Sequence, residues 1–186
     1  MERWIRWGGL GLMAVVALMS ASCGYPSLED PKLSTADFAL EEFFDGRTVA
    51  YGQFNDRFGT ARRRFKVEID GSWDGKTLQL IEDFTYADAT QEQRIWKLQK
   101  SGPDVSDQLW VGRAAGVQGE AEGREVGDVF NWRYTIDLKA PDGSALRVDF
   151  DDWMWLMEDG RLLNIAYMSR FGVDPGEVVI FFEKRG

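Results

Sequence analysis

The chain has no histidine among its 186 residues. That single absence removes Ser-His-Asp chemistry, imidazole acid–base work and His-ligated zinc. One cysteine, Cys23, rules out an intramolecular disulfide and a thiolate metal site. A hard-cation site built on carboxylates is left open. Positive charge is scarce too: 22 Lys and Arg stand against 31 Asp and Glu, a net of −9. Nucleic-acid affinity rests on neutralising phosphates with cations, so this balance argues against a nucleic-acid partner. Proline is sparse at 5, while 20 glycines fit a chain of many turns. No metal or cofactor is implied. No residue set specifies a reaction, and an enzyme is the less favoured reading.

The first 22 residues have the form of a targeting segment. Arg3 and Arg6 make a basic start, Gly8 to Met19 is uncharged and largely apolar, and Ser20-Ala21-Ser22 are small. The run is too short to cross a bilayer comfortably, which takes about 20 apolar residues. Cys23 follows at once, as in the lipobox of bacterial lipoproteins, although Ser20 stands where Leu is commonest. An acylated Cys23 would anchor the chain stably, since each buried CH₂ contributes about 0.8 kcal/mol. The rival reading is an ordinary signal peptide cut beside an unmodified cysteine. Gly24 after the cysteine, by analogy with lipoproteins generally, favours the outer membrane facing the periplasm. The expected division is a signal over 1–22, a tether over 23–35 with Pro26 and Pro31, and a β-barrel domain over 36–186.

From Thr48 onward the residues alternate in the period of two that marks strands. Phe65, Val67 and Ile69 alternate with Arg64, Lys66 and Glu68, and Phe130, Trp132, Tyr134, Ile136 and Leu138 hold strict parity. Asp70-Gly71, Asp74-Gly75, Pro141-Asp142-Gly143 and Asp159-Gly160 read as turns. Ala36 to Phe44 reads as one or two helical turns. Gly116, Gly119 and Gly123 break up a polar loop holding a short ragged strand. Eight to ten strands joined by short turns must be antiparallel neighbours. Closing such a meander removes its edges, so the expected fold is an all-β, up-and-down lipocalin-like barrel with a short N-terminal helix.

Val148 to Leu156 organises the functional reading. Val148, Phe150, Asp152, Met154 and Leu156 share one face; Asp149, Asp151, Trp153 and Trp155 share the other. A carboxylate on an apolar face needs a partner, because burying it alone costs several kcal/mol, on the order of 3 or more. Parity brings Glu82, Arg94, Trp96, Trp132, Tyr134, Asp152, Asn164 and Met168 to the same interior. An arginine between two acids can make bidentate, charge-assisted bonds. That set is either a polar floor holding the head of an amphiphilic ligand or a salt-bridge network that plugs the barrel. Paired catalytic carboxylates are the least favoured alternative. Trp153 and Trp155 read as core beneath a covering element such as Ala36 to Phe44, with an exposed partner-facing patch as the rival.

Glu41-Glu42-Phe43-Phe44-Asp45-Gly46, Tyr51-Gly52, Asp56-Arg57-Phe58-Gly59, Arg94 with Trp96, and Phe150-Asp151-Asp152-Trp153-Met154 carry a further signal. With Asn164 and Met168, Phe171-Gly172, Gly176-Glu177 and Phe181-Phe182, they resemble in order the DUF3833 family of bacterial lipoproteins. Ile165, where Arg is expected, and Ala87-Asp88-Ala89 in place of an Asp-Gly turn depart from that pattern. The resemblance implies an envelope lipoprotein with no assigned activity. The expectation is therefore an anchored barrel binding a small apolar or lipid-like molecule, or a structural, partner-binding lipoprotein with a plugged barrel.

Overall fold

A computed structural model of the chain describes residues 25–32, 34–101, 108–139 and 143–185. The signal segment and Cys23 lie outside the described residues. Among those described, a five-residue helix α1 (Leu40–Phe44) precedes ten strands. The strands are β1 (Gly46–Asp56), β2 (Ala61–Trp73), β3 (Thr77–Tyr86), β4 (Gln91–Ser101), β5 (Gln108–Ala114), β6 (Ala121–Val126), β7 (Val129–Lys139), β8 (Ala145–Leu156), β9 (Leu162–Arg170) and β10 (Val173–Arg185). Each strand pairs antiparallel with its sequence neighbours, and β1 pairs with β10 to close the barrel. The expected lipocalin-like, all-antiparallel barrel is therefore the fold.

Alternation decides which residues fill it. Val67 and Ile69 of β2, Leu78 and Leu80 of β3, Trp96 and Leu98 of β4, and Phe130 and Trp132 of β7 point inward and are buried. They concentrate at the end of the barrel where α1 sits. Phe44 meets Phe182 edge-on at 5.7 Å, and Phe38 meets Phe130 at 6.3 Å. The Leu40 N–H donates to Glu125 Oε1 at 2.7 Å, Lys184 Nζ to the Glu42 carbonyl at 2.6 Å, and the Trp73 N–H to Asp45 Oδ1 at 3.1 Å. Lys100 pairs with Glu41. One helical turn, held from four strands, closes one end.

Small residues on β5 and β6 make room for the largest side chains. A Cβ on Gly123 would lie 2.4 Å from the Trp132 ring and 2.6 Å from the Asn131 carbonyl oxygen. Trp132 therefore lies flat across a wall that has no side chain there, which is why β6 looked like a ragged loop in sequence. Gly123→Ala is expected to lower stability by about 2 kcal/mol, as overpacking does. A fall in the urea midpoint with an unchanged slope would show it.

Two expectations need correction. Asp70-Gly71 is no turn: both residues lie within β2, paired to Arg47 and Gly46 of β1. Gly71 is needed there because a Cβ would stand 1.7 Å from the Phe44 carbonyl oxygen. Nor does Ala36 to Phe44 cover Trp153, since α1 closes the barrel end. Trp153 is nonetheless only 3% exposed and stacks on Trp155 at 6.4 Å. The chain before α1 runs along this outer face instead. Tyr25 meets Tyr167 of β9 edge-on at 5.1 Å, the Ser34 N–H donates to Asp128 Oδ2 at 3.0 Å, and Phe38 N–H reaches the Gly127 carbonyl at 2.6 Å. Val129 and Asn131, outward residues of β7 on the same side, are buried as well.

Candidate functional site: an open cavity with a buried polar girdle

Opposite α1 the barrel is not filled. A cavity of about 580 Å³ occupies the interior and reaches from Phe44 at the closed end to Arg63, Pro175 and Arg170 at the turns of the other end. Burial changes along it. Trp96, Trp132 and Leu98 near α1 are buried, whereas Phe54, Phe65, Phe84, Phe150 and Val178 farther up are only half-buried because they line space. The floor is plugged and the upper half is hollow.

Every site residue expected from parity lines this cavity: Glu82, Arg94, Trp96, Trp132, Tyr134, Asp152, Asn164 and Met168. Register sets their heights. Glu82 stands opposite Arg94, Trp132 opposite Asp152, and Phe150 between Tyr134 and Met168. Trp96 and Trp132 pack edge-to-face at 5.8 Å and belong to the floor. Tyr134 rests on that floor, 5.2 Å from Trp96, and stacks on Phe150 at 5.1 Å. Asn164 is 1% exposed and its amide donates to the Trp153 carbonyl at 3.0 Å, so it staples β9 to β8.

The expected bidentate arginine does not form. Arg94 donates to Glu92 Oε1 at 3.1 Å, two residues along its own face toward the mouth, and sits 5.4 Å from the Phe84 ring. It acts on Glu82 and Asp152 only through space. The partner of Asp152 is Tyr134, whose hydroxyl donates to Oδ2 at a long 3.5 Å. Asp152 Oδ1 is buried and meets no donor among the described residues. Burial pushes the Asp152 carboxyl up to about 8, with Asp151 and Glu82 adding to the rise and Arg94 opposing it. Burial likewise lifts Glu82 to about 7 against the pull of Arg94, and holds the Tyr134 phenol well above its usual range. The girdle therefore holds two carboxyls that burial shifts toward the protonated form, beside a charged arginine.

Sequence reasoning missed the polar chain above the girdle. The Tyr86 hydroxyl donates to Glu92 Oε2 at 3.0 Å, Glu92 accepts from Arg94, and the Arg63 guanidinium lies 3.4 Å over the Tyr86 ring. The signal was present, because Glu92 shares the parity of Arg94 and Tyr86 that of Glu82. Among the described residues no group of three or more His, Cys, Asp and Glu is placed to hold a metal ion. No helix there is long and apolar enough to cross a membrane.

Fold and cavity together define a lipocalin-like antiparallel barrel with a plugged floor, a polar girdle and one open mouth. Residues 17–184 match the model of a family described as a protein of unknown function, DUF3833, and the chain belongs to that family. No curated protein and no solved structure matches it.

Proposed function

We propose that this is an envelope lipoprotein, anchored through Cys23, whose barrel holds a single-chain amphiphile with its polar end at the girdle. The observation that carries the reading is the unpartnered Asp152 Oδ1, buried at the foot of an open apolar cavity. A buried oxygen without a partner costs about 1–3 kcal/mol, and a ligand hydroxyl would recover that. The cavity volume falls in the small-molecule range of about 300–1,000 Å³. Phe65, Phe84, Phe150 and Val178 above the girdle suit an acyl chain, and Arg94 suits a carbonyl or carboxyl oxygen. The plugged floor sets the direction: polar end inward, chain toward the mouth. An outer-membrane position facing the periplasm follows from Gly24 beside Cys23 and belongs to the same proposal.

Native mass spectrometry of the gently purified chain is expected to detect one bound amphiphile per barrel. Its organic extract should identify an acyl-chain compound. Val178→Trp, which fills the upper cavity without touching the girdle, should purify folded and empty. Wild-type protein that carries nothing, and takes up no fluorescent acyl probe, would overturn the reading in favour of a structural barrel.

A further inference from the structure

The open end of the barrel carries two phenylalanines that fold stability does not explain. Phe58, at the β1–β2 turn, is 77% exposed; Phe171, at the β9–β10 turn, is 87% exposed. Both turns are built to hold these rings outward. Asp56 Oδ1 accepts the N–H groups of Phe58 and Thr60, at 2.9 and 3.0 Å, and Arg62 clamps its Oδ2 at 2.6 Å. Those bonds hold the Asp56 carboxyl below its ordinary range even against desolvation. Phe171 sits at φ +52°, a left-handed conformation that a bulky side chain disfavours and glycine would accept. The two hairpins are neighbours: β1 pairs with β10, and the Arg57 N–H donates to the Pro175 carbonyl at 3.2 Å. The rings therefore project from one side of the mouth.

Charge around them runs against that of the whole chain. Residues 56–63 and 170–176 hold four arginines, Arg57, Arg62, Arg63 and Arg170, against two acids, Asp56 and Asp174. Arg57 and Arg170 lie 4.8 and 5.1 Å from the centroids of Phe58 and Phe171. Arg62 pairs with Asp56 and Arg63 with Asp88, while Arg57 and Arg170 stand beside the exposed rings of a chain of net −9. Rings that enter the headgroup layer beside guanidinium groups that meet phosphates are the pattern of an interfacial anchor. Tyr25 packs on Tyr167, four residues before Phe171, roughly 13 Å along the strand. Cys23 precedes Tyr25 by two residues, at most about 7 Å of extended chain.

We infer that the Phe58 and Phe171 turns dock the barrel mouth-down on an anionic phospholipid surface, so that the cavity opens into the bilayer interface. Hydrogen–deuterium exchange of the full chain on vesicles tests this directly. Vesicles of phosphatidylcholine with phosphatidylglycerol are compared with phosphatidylcholine alone. Exchange at residues 57–60 and 171–174 should slow roughly fivefold on the anionic vesicles, and the α1 end should not change. A Phe58→Ser, Phe171→Gly double variant should lose that protection while its strand amides exchange as in the wild type, which shows that the fold is intact. Equal exchange at the two turns in wild type and variant, or protection at α1 instead, would overturn the inference. Neither outcome depends on what the cavity holds, so the ligand proposal stands or falls separately.

Discussion

Asp152→Asn is expected to leave stability unchanged below about pH 4 and to raise it by about 3 kcal/mol above pH 8. The sign follows from burial. In the folded chain Asp152 keeps its proton up to about 8, whereas an ordinary aspartate releases it near 3.8. Between those values the unfolded chain binds fewer protons than the folded one. Stability is therefore fully present below the lower value and declines as pH rises, by about 1.4 kcal/mol per unit for one such group. The whole interval would give a larger loss, and water entering the open cavity reduces it to about 3 kcal/mol. Glu82 and Glu125, both raised to about 7 by burial, add their own decline in the lower part of the window. The variant should keep the decline due to those two groups, which ends near pH 7, and lose the share of Asp152 across the whole span from about pH 4 to 8. The window is unusually clean, because the chain has no histidine to titrate in it. Urea unfolding at a series of pH values checks this. Parallel curves for wild type and variant would mean that Asp152 is ionised and solvated in the native barrel.

The interior was legible because parity is a strong constraint. Phe130 to Leu138 alternate without a break, Leu78 to Tyr86 break only at Ile81-Glu82, and a slip of one residue would turn every aromatic outward. That is enough to place Glu82, Arg94 and Asp152 inside one closed sheet from sequence. It says nothing of how far a guanidinium reaches once there. Arg94 turned to Glu92, two residues away on its own strand, rather than to Glu82 beside it on β3 or Asp152 on β8. β6 was obscured for a different reason. Of its inward positions, Ala121 and Gly123 are small because Trp132 lies across that wall and the third is Glu125, so the strand has no hydrophobic period to read. The contacts of the segment before α1 were equally hidden, since that segment is polar and proline-bearing in sequence like a free spacer. What holds its ends is Asp128, 94 residues beyond Ser34, and Tyr167 of β9, which meets Tyr25.

Gly71→Ala should lower stability by about 3 kcal/mol, against about 1 kcal/mol for Gly75→Ala. In sequence the two glycines look alike, each following an aspartate within the same short stretch. Their physics differs. Gly75 has φ +90° and open space around it, so an alanine there meets only its own backbone preference. Gly71 is extended within β2, and its added Cβ would meet the Phe44 carbonyl oxygen at 1.7 Å and the carbonyl carbon at 2.8 Å. Neither atom is a flexible side-chain end that could swing aside. Either β2 or α1 must move, and α1 is the smaller body. Lifting it pulls on the Leu40 to Glu125 bond and loosens Phe44 from Phe182, so the loss includes packing as well as overlap. Urea midpoints give the two magnitudes, and exchange of the Leu40 amide gives the cause. It should speed up in Gly71→Ala and stay at the wild-type rate in Gly75→Ala. Equal losses, or an unchanged Leu40 amide in both, would mean that the closed end of the barrel does not depend on the contact between β2 and α1. An α1 that lifts in Gly71→Ala would also make this variant the direct way to ask whether the cavity needs a floor in order to hold a ligand.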